Sequence, residues 1–168
     1  MLIVPVVVWL LTIGQYGPTF WLFVLAGVSD AVDGFLARRF DARSELGGYL
    51  DPLADKALLV SVYITLGLQG HIPSWLVILV VFRDLLIVGG VLLLQTLDRR
   101  TVMAPLLVSK ANTAAQITFA VLLLAAHAFD LDDHGVLFVL TFVVAATTLA
   151  SGSAYLVKFV QQLVEAAT

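Results

Sequence analysis

Four aspartates lie at fixed spacings within one short stretch of this sequence. Asp30 and Asp33 are three residues apart, and Asp51 and Asp55 are four residues apart. On helices, each spacing brings two side chains to one face, so two neighbouring helices would bring four carboxylates together. Carboxylate oxygens are the ligands that Mg²⁺ and Mn²⁺ prefer. The pattern therefore predicts a site for two divalent cations, of the kind that assists displacement at phosphorus.

Small and basic residues lie beside these aspartates. Gly34, Ala37 and Gly47 leave room for a bulky ligand to approach the helix backbones. Arg38 follows Gly34 by one helical turn, and a guanidinium group binds phosphate with two parallel hydrogen bonds. A zinc site is not expected, because the chain has no cysteine and no histidine lies nearby. The stretch is therefore interpreted as a site for cations and a phosphate-bearing ligand.

The composition indicates the environment in which this site must work. Of the 168 residues, 61% are apolar and 12% are charged, with a mean hydropathy of +1.03. Soluble domains average about 45–50% apolar and about 25% charged residues. The formal net charge of -3 and the lack of a basic stripe disfavour a nucleic-acid partner. The chain is predicted to be a polytopic protein of the lipid bilayer.

Apolar segments and turn residues predict an all-α fold with six transmembrane helices in one domain, residues 1–168. A helix of about 20 apolar residues crosses the roughly 30 Å of hydrocarbon in a bilayer. The first segment is short, and the second and fourth open with proline, which helix starts favour. The predicted segments are 2–13, 18–39, 46–68, 73–95, 108–129 and 135–160.

Basic residues predict the orientation of these helices. The turns 14–17, 69–72 and 130–134 contain no lysine or arginine, whereas the 39–46 and 96–107 loops carry several. The positive-inside rule therefore places both termini and the aspartate site on the cytoplasmic or matrix side. The membrane would be a bacterial inner membrane or the mitochondrial inner membrane. No cleavable signal peptide is expected, because no basic residue precedes the first apolar run.

The aspartate stretch resembles the signature of the CDP-alcohol phosphatidyltransferase family, D-x2-D-G-x2-A-R-x8-G-x3-D-x3-D. Every fixed position matches at the right spacing, namely Asp30, Asp33, Gly34, Ala37, Arg38, Gly47, Asp51 and Asp55. The resemblance implies a membrane enzyme that displaces CMP from CDP-diacylglycerol with an acceptor alcohol, with its active site at the cytoplasmic end of the second and third helices. Relatives also carry a stretch similar to P-N-x-L-T-x-x-R before the first helix, and the printed sequence has no counterpart to it.

The resemblance also implies a role for each residue of the site. Asp30 and Asp51 would bridge both metal ions, and Asp33 would bind the first ion. Asp55 would bind the second ion and take the proton of the acceptor alcohol. The CDP-lipid would be held by Asp30, Gly34, Ala37, Arg38, Ser44 and Gly47.

Two later segments, 80–87 and 108–116, resemble acceptor regions of the family. Phosphatidylglycerophosphate synthases have a segment similar to G-K-x-K-T, where this chain has Ser109-Lys110-Ala111-Asn112-Thr113. This version is more similar to the CMP-forming cardiolipin synthases, and Asn112 in place of a second lysine suits a monoanionic diester such as phosphatidylglycerol. Arg83, Lys110 and Asn112 are the acceptor-binding candidates. Glycerol 3-phosphate is the alternative acceptor.

Other interpretations remain open for several residues. Arg83 and Asp84 would equally form a structural ion pair within the bundle, and Lys110 would equally reach lipid headgroups. The three histidines, His71, His127 and His134, are expected to be solvated or interfacial. Gly89 and Gly90 would permit close helix packing or a homodimer contact. A divalent-cation transporter or a membrane scaffold is the alternative of a different class.

Overall fold

The computed structural model describes the backbone of residues 3–39, 45–96 and 107–165. It also describes the side chains of these residues, except those of 30–31, 33–39, 45–55, 91–96 and 163–165. In these ranges every regular element is an α-helix and no strand occurs, which confirms the all-α prediction for this part of the chain. The elements are α1 (Ile3–Thr12), α2 (Tyr16–Arg39), α3 (Glu45–Leu68), α4 (Ser74–Thr96), α5 (Leu107–Phe129) and α6 (Val136–Glu165).

The helix bounds agree with the predicted segments except at the end of α6. That helix continues to Glu165, beyond the predicted end at residue 160. The apolar run ends there, yet the polar residues that follow it, Gln161 and Gln162, are good helix formers. The carbonyl of Pro73 accepts hydrogen bonds from Leu76 and Val77, so this proline starts α4 as expected.

Three helices end in the same way, and these ends set the connecting turns. α1, α3 and α5 are each followed by a residue with a left-handed backbone, Gly14 (φ 74°), Gly70 (φ 80°) and Asp130 (φ 51°). Such a residue reverses the chain and lets a later amide reach back to the last helical turn. The amides that do so are those of Gln15, His71 and Leu131, which donate to the carbonyls of Leu10, Leu66 and Ala126.

The lengths and surfaces of the helices agree with a membrane environment. Two of them, over Leu107–Phe129 and Val136–Gln162, are long and apolar enough to cross a bilayer. Large apolar side chains are also widely exposed: Leu68 is 85% exposed and Phe138 is 69% exposed. Exposed apolar surface on this scale indicates contact with a partner or with lipid. Six membrane spans remain a prediction.

The described residues fall into two compact units. The first combines the chain up to Ile72 with Ala120–His134, and the second combines Pro73–Phe119 with the chain from Gly135 onward. α5 therefore contributes its first half to the second unit and its last turns to the first. A single domain over residues 1–168 remains a prediction.

In the first unit, α1 packs against both α2 and α3. Val7 and Leu11, four residues apart on α1, are fully buried, as are Val62 and Leu66 on α3. Side chains four apart share one helix face, so each helix contributes one apolar stripe to this core. A side-chain bond adds to the packing, because Gln69 Nε2 donates to the Leu11 carbonyl at 2.6 Å.

In the second unit, α4 packs against α6. Leu76 and Val80 on α4 and Val144 on α6 are fully buried, but further along the same helices the buried residues become polar. Arg83, Asp84 and Ser151 are 3%, 7% and 0% exposed. A polar interior in apolar helices is costly unless its groups are paired, so these residues are candidates for a functional role.

Candidate active site

Helices α2 and α3 carry the residues of the aspartate motif. Asp30 and Asp33 lie on α2, and Asp51 and Asp55 lie on α3, so both pairs have the helical backbone that their spacing required. Gly34, Ala37 and Arg38 also lie on α2, and Gly47 lies on α3. Ser44 lies outside the described residues, as do the side chains of the whole motif. The convergence of the four carboxylates therefore remains a prediction.

The described side chains hold no second candidate for the metal site. Among them, no group of three or more histidine, aspartate or glutamate residues is placed to hold a metal ion. The four motif aspartates are not part of that set. The prediction of two divalent cations thus depends on the motif alone.

Arg83 is the centre of a buried polar cluster in the second unit. Its Nη1 donates to Asp84 Oδ1 at 2.6 Å, which forms an ion pair between neighbouring residues of α4. Its Nε and Nη2 donate to Ser151 Oγ on α6 at 3.1 and 2.6 Å, and Nη2 also donates to Ser109 Oγ on α5. Each of the three guanidinium nitrogens is therefore bound within the protein, which supports the interpretation as a structural ion pair.

The ring of Tyr155 and a glycine complete the surroundings of this arginine. The guanidinium carbon lies 6.0 Å from the centroid of the Tyr155 ring, a distance at which the ring face attracts a cation. Gly152 lies beside the aliphatic part of Arg83, since a β-carbon there would be 3.7 Å from Arg83 Cγ. The cluster thus joins α4, α5 and α6 of this unit through one buried cation.

Asn112 is the second buried polar residue of this unit. It is 0% exposed, and its Oδ1 accepts hydrogen bonds from Thr147 and Thr148, both at 2.9 Å. Its Nδ2 is buried and has no hydrogen-bond partner in the part of the chain that the structure describes. A buried donor without a partner costs about 1–3 kcal/mol, so this amide is a candidate for an interaction with a bound ligand.

Lys110 lies between these two groups on α5 and is exposed. Its neighbour Ser109 bonds Arg83, and Asn112 follows two residues later. The three acceptor-binding candidates therefore belong to one unit, and Lys110 is the exposed one among them. Binding of the acceptor by any of the three remains a prediction.

The segment 147–155 resembles the cardiolipin synthases in sequence, but sequence reasoning assigned no role to the hydroxyl groups on α6 that hold this cluster. Thr147, Thr148 and Ser151 contact Asn112 or Arg83, and Tyr155 faces Arg83. Ser151 and Tyr155 are four residues apart, as are Thr147 and Ser151, so a polar stripe in an otherwise apolar helix was a visible signal. Polar side chains on apolar helices commonly bond a neighbouring helix.

The structure adds contacts to the histidines that the sequence did not indicate. His127 and His134 are exposed, and His71 is half-buried and hydrogen bonded to both Tyr16 and His127. These residues are 55 and 56 positions from His71 in the sequence, so no local pattern indicated the contact.

The motif and the helical architecture together define a class of protein. The model of the CDP-alcohol phosphatidyltransferase family matches residues 1–154, and the chain belongs to this family.

Two branches of the family contain similar proteins. CDP-diacylglycerol--glycerol-3-phosphate 3-phosphatidyltransferase 1, chloroplastic, of Oryza sativa is 37% identical, over 94% of this chain and 53% of the rice protein. Cardiolipin synthase (CMP-forming) of Homo sapiens is 34% identical, over 90% of this chain and 56% of the human protein. A Schizosaccharomyces pombe fusion of cardiolipin synthase (CMP-forming) with a mitochondrial hydrolase is 35% identical, over 81% of this chain and 25% of the fusion. The chain spans about half the length of the rice and human relatives.

Proposed function

We propose that this protein transfers a phosphatidyl group from CDP-diacylglycerol to an acceptor alcohol and releases CMP. The observation that carries the proposal is the complete eight-residue motif, from Asp30 to Asp55, on two consecutive helices of a chain that belongs to this family. Two carboxylates on each helix at one-turn spacing form an oxygen-only donor set, which fits Mg²⁺ or Mn²⁺.

The motif residues divide between the cations and the nucleotide. Two divalent cations would be held by the four aspartates Asp30, Asp33, Asp51 and Asp55. Such cations would neutralise the charge of the diphosphate and of the departing phosphate. The remaining CDP-lipid contacts are assigned to Gly34, Ala37, Arg38, Ser44 and Gly47, with Asp30 shared between both roles. The Arg38 guanidinium matches the geometry of a phosphate, and the small residues admit the nucleotide to the backbone.

The reaction is a displacement at phosphorus. The acceptor hydroxyl oxygen bonds to the phosphorus of the phosphatidyl group, and the bond from that phosphorus to the bridging oxygen breaks. CMP leaves with the bridging oxygen, and the hydroxyl proton passes to Asp55. Because an alcohol is a weak nucleophile, a general base of this kind contributes about 10²–10⁴-fold to such a rate.

We propose phosphatidylglycerol as the acceptor, which makes the product cardiolipin. The supporting observation is Asn112, whose buried amide replaces a cation with a neutral donor and acceptor. A monoanionic diester needs fewer cationic partners than a dianionic monoester. The second candidate is glycerol 3-phosphate, which the similarity to the rice phosphatidyltransferase favours.

The orientation in the membrane is also a proposal. Six spans with both termini and the motif on the cytoplasmic or matrix side would leave the turns at Gly14, Gly70 and Asp130 on the opposite side. Exposed apolar side chains on α2, α4 and α6, such as Trp21, Ile78 and Phe138, support lipid contact along these helices. A divalent-cation transporter, the alternative of another class, would need polar groups lining a path through the bilayer.

Purified protein in phospholipid nanodiscs provides the test of activity. CMP release from CDP-diacylglycerol is measured with Mn²⁺ or Mg²⁺ and with phosphatidylglycerol, glycerol 3-phosphate or no acceptor. We expect release with phosphatidylglycerol and none after chelation of the metal. Release only with glycerol 3-phosphate would replace the proposed acceptor, and no release with either acceptor would refute the transferase proposal.

The variant Asp55→Asn tests the proton acceptor. It keeps the size of the side chain but removes the basic carboxylate, so turnover should fall by about 10²–10⁴-fold. Binding of CDP-diacylglycerol, measured by equilibrium dialysis with a labelled lipid, should persist. Full turnover in this variant would assign the proton to another group. The matched control is Asp132→Asn, an exposed aspartate in the turn after α5, which should keep full turnover.

A further inference from the structure

Tyr16, His71 and His127 form a continuous hydrogen-bonded chain in the first unit. Tyr16 Oη lies 2.8 Å from His71 Nε2, and His71 Nδ1 lies 2.9 Å from His127 Nε2. His127 Nδ1 lies 2.9 Å from the carbonyl oxygen of Leu123. The chain connects the start of α2, the turn after α3 and the last turns of α5.

The carbonyl of Leu123 sets the donor and acceptor in each of these hydrogen bonds. A carbonyl oxygen only accepts, so His127 Nδ1 must carry a proton and donate it. In neutral His127, Nε2 is then an acceptor, and His71 Nδ1 donates to it. His71 Nε2 in turn accepts the hydroxyl proton of Tyr16. The neutral state thus has one consistent set of tautomers.

One additional proton preserves the chain, and a second proton does not. With the first, one imidazole becomes a cation that donates from both nitrogens, and the hydroxyl of Tyr16 accepts from His71 Nε2. All three hydrogen bonds survive. With the second, N–H groups on both rings face each other across 2.9 Å, and two positive charges meet at that distance. No tautomer relieves this conflict, because Leu123 keeps His127 Nδ1 protonated.

We propose that Tyr16, His71 and His127 form a proton-dependent clamp, which holds its three elements together with at most one additional proton and opens when a second proton binds.

The electrostatics of His71 support this proposal. Burial lowers the pKa of its imidazole below the usual value, and the charge of His127 lowers it further. The ring contacts explain the burial: the His71 ring lies 5.6 Å from Tyr16 and 4.2 Å from His127, between centroids. Burial and the neighbouring imidazole therefore both disfavour a proton on His71 relative to a free imidazole.

Other ionisable groups lie at this end of the first unit. Asp130, Asp132 and Asp133 follow His127 in the next turn, and His134 lies 3.4 Å from Asp132. Neither α1 nor the turn after it contributes an ionisable side chain. None of these groups takes part in the contact between the His71 and His127 rings, which is the contact that a second proton disrupts.

The sign of the pH effect follows from the lowered pKa of His71. The unfolded chain, with an ordinary imidazole pKa of about 6.5, takes up protons before the folded clamp does. The stabilisation is therefore complete above about pH 6.5 and is lost as the pH falls below that value.

Imidazole titration by nitrogen NMR of the protein tests the clamp directly. The chain has three histidines, and single variants assign them. We expect His71 and His127 to titrate in two steps separated by more than about one pH unit, as coupled groups do. In His127→Gln, His71 should titrate in one step at a higher pH, whereas His134→Gln should leave the pair unchanged.

The outcomes separate the clamp from a merely structural contact. Identical titration of His71 in the wild type and in His127→Gln would overturn the proposal. Thermal unfolding between pH 8 and pH 5 is a second measurement, in which the acid-induced decrease of the midpoint should shrink in His127→Gln and persist in His134→Gln. An unchanged decrease in His127→Gln would also contradict it.

Discussion

The two units of this protein handle buried polar groups in opposite ways. In the second unit, Arg83 is a permanent cation that is 3% exposed and bonded to Asp84, Ser109 and Ser151. In the first unit, Tyr16, His71 and His127 form a chain that is neutral above the imidazole pKa and partly open to solvent. A buried arginine needs its hydrogen-bond partners at every pH, whereas the hydrogen bonds among the imidazoles and the tyrosine depend on how many protons the imidazoles carry.

The difference predicts a hierarchy of energetic effects. Removing one partner of an enclosed ion pair leaves an uncompensated charge, which costs far more than the pair itself contributes. Removing a neutral hydrogen bond at a half-exposed site costs only the net value of that bond. Three variants measure this contrast, from the largest expected effect to the smallest.

Arg83→Met should produce the largest loss of stability. It removes the guanidinium group that lies 2.6 Å from the buried Asp84 carboxylate, and breaking a buried ion pair in this way costs about 3–5 kcal/mol in the free energy of unfolding. Denaturant titration in detergent micelles provides the measurement. The double variant Arg83→Met with Asp84→Leu should recover most of the loss, because no buried charge remains. Equal instability of both variants would indicate that packing, and not charge, holds this cluster.

The neighbouring position provides the matched control. Phe82 precedes Arg83 on α4 but is 64% exposed, so Phe82→Leu changes the exposed surface of the helix without touching the cluster. Its effect on the free energy of unfolding should be small. A loss as large as that of Arg83→Met would show that this part of α4 is sensitive to any substitution.

Ser151→Ala should produce an intermediate effect. The hydroxyl oxygen accepts two hydrogen bonds from Arg83, and a hydrogen bond to a charged group contributes about 1.5–3 kcal/mol. Ser109 and Asp84 remain as partners, so the guanidinium group of Arg83 keeps hydrogen bonds to both. The same denaturant titration measures the loss, and Ser153→Ala, at an exposed position on α6, serves as the control. If the two alanine variants lose the same stability, the Ser151 hydroxyl does not stabilise the cluster.

Tyr16→Phe should produce the smallest effect. It removes one neutral hydrogen bond of 2.8 Å to His71 while keeping the aromatic contacts of the ring. The expected loss is about 0.5–1.5 kcal/mol at pH 8, measured as the change in the free energy of unfolding. A loss larger than that of Ser151→Ala would reverse the hierarchy and show that the surface chain is the stronger of the two clusters.

The sequence predicted the helices well because their signals are local. Runs of apolar residues end at Gly14, Gly70 and Asp130, and each of these residues has the left-handed backbone that a helix end needs. The alternatives for Arg83 and Asp84 were open in the sequence, and the buried 2.6 Å contact now favours the ion pair. The later end of α6 shows the opposite case, where polar residues continue a helix past its apolar part.

The partners of the polar groups were not predictable in the same way. In a bilayer, apolar residues face both lipid and neighbouring helices, so an apolar helix does not reveal which face is buried. The spacing of Thr147, Ser151 and Tyr155 indicated that one face of α6 is polar. It did not indicate that this face contacts Arg83. The imidazole of His71 likewise had no local signal for its two partners.

By itself, the sequence determined the all-helical architecture and the family, because helix periodicity, turn residues and the Asp30–Asp55 motif are encoded at short range. Only the tertiary structure decided that Arg83 meets Ser151, 68 positions away, and that Tyr16 meets His71, 55 positions away. Contacts at such separations depend on which helix faces pack together. Within each unit, that choice depends on burial and hydrogen bonding among several helices and not on any one segment.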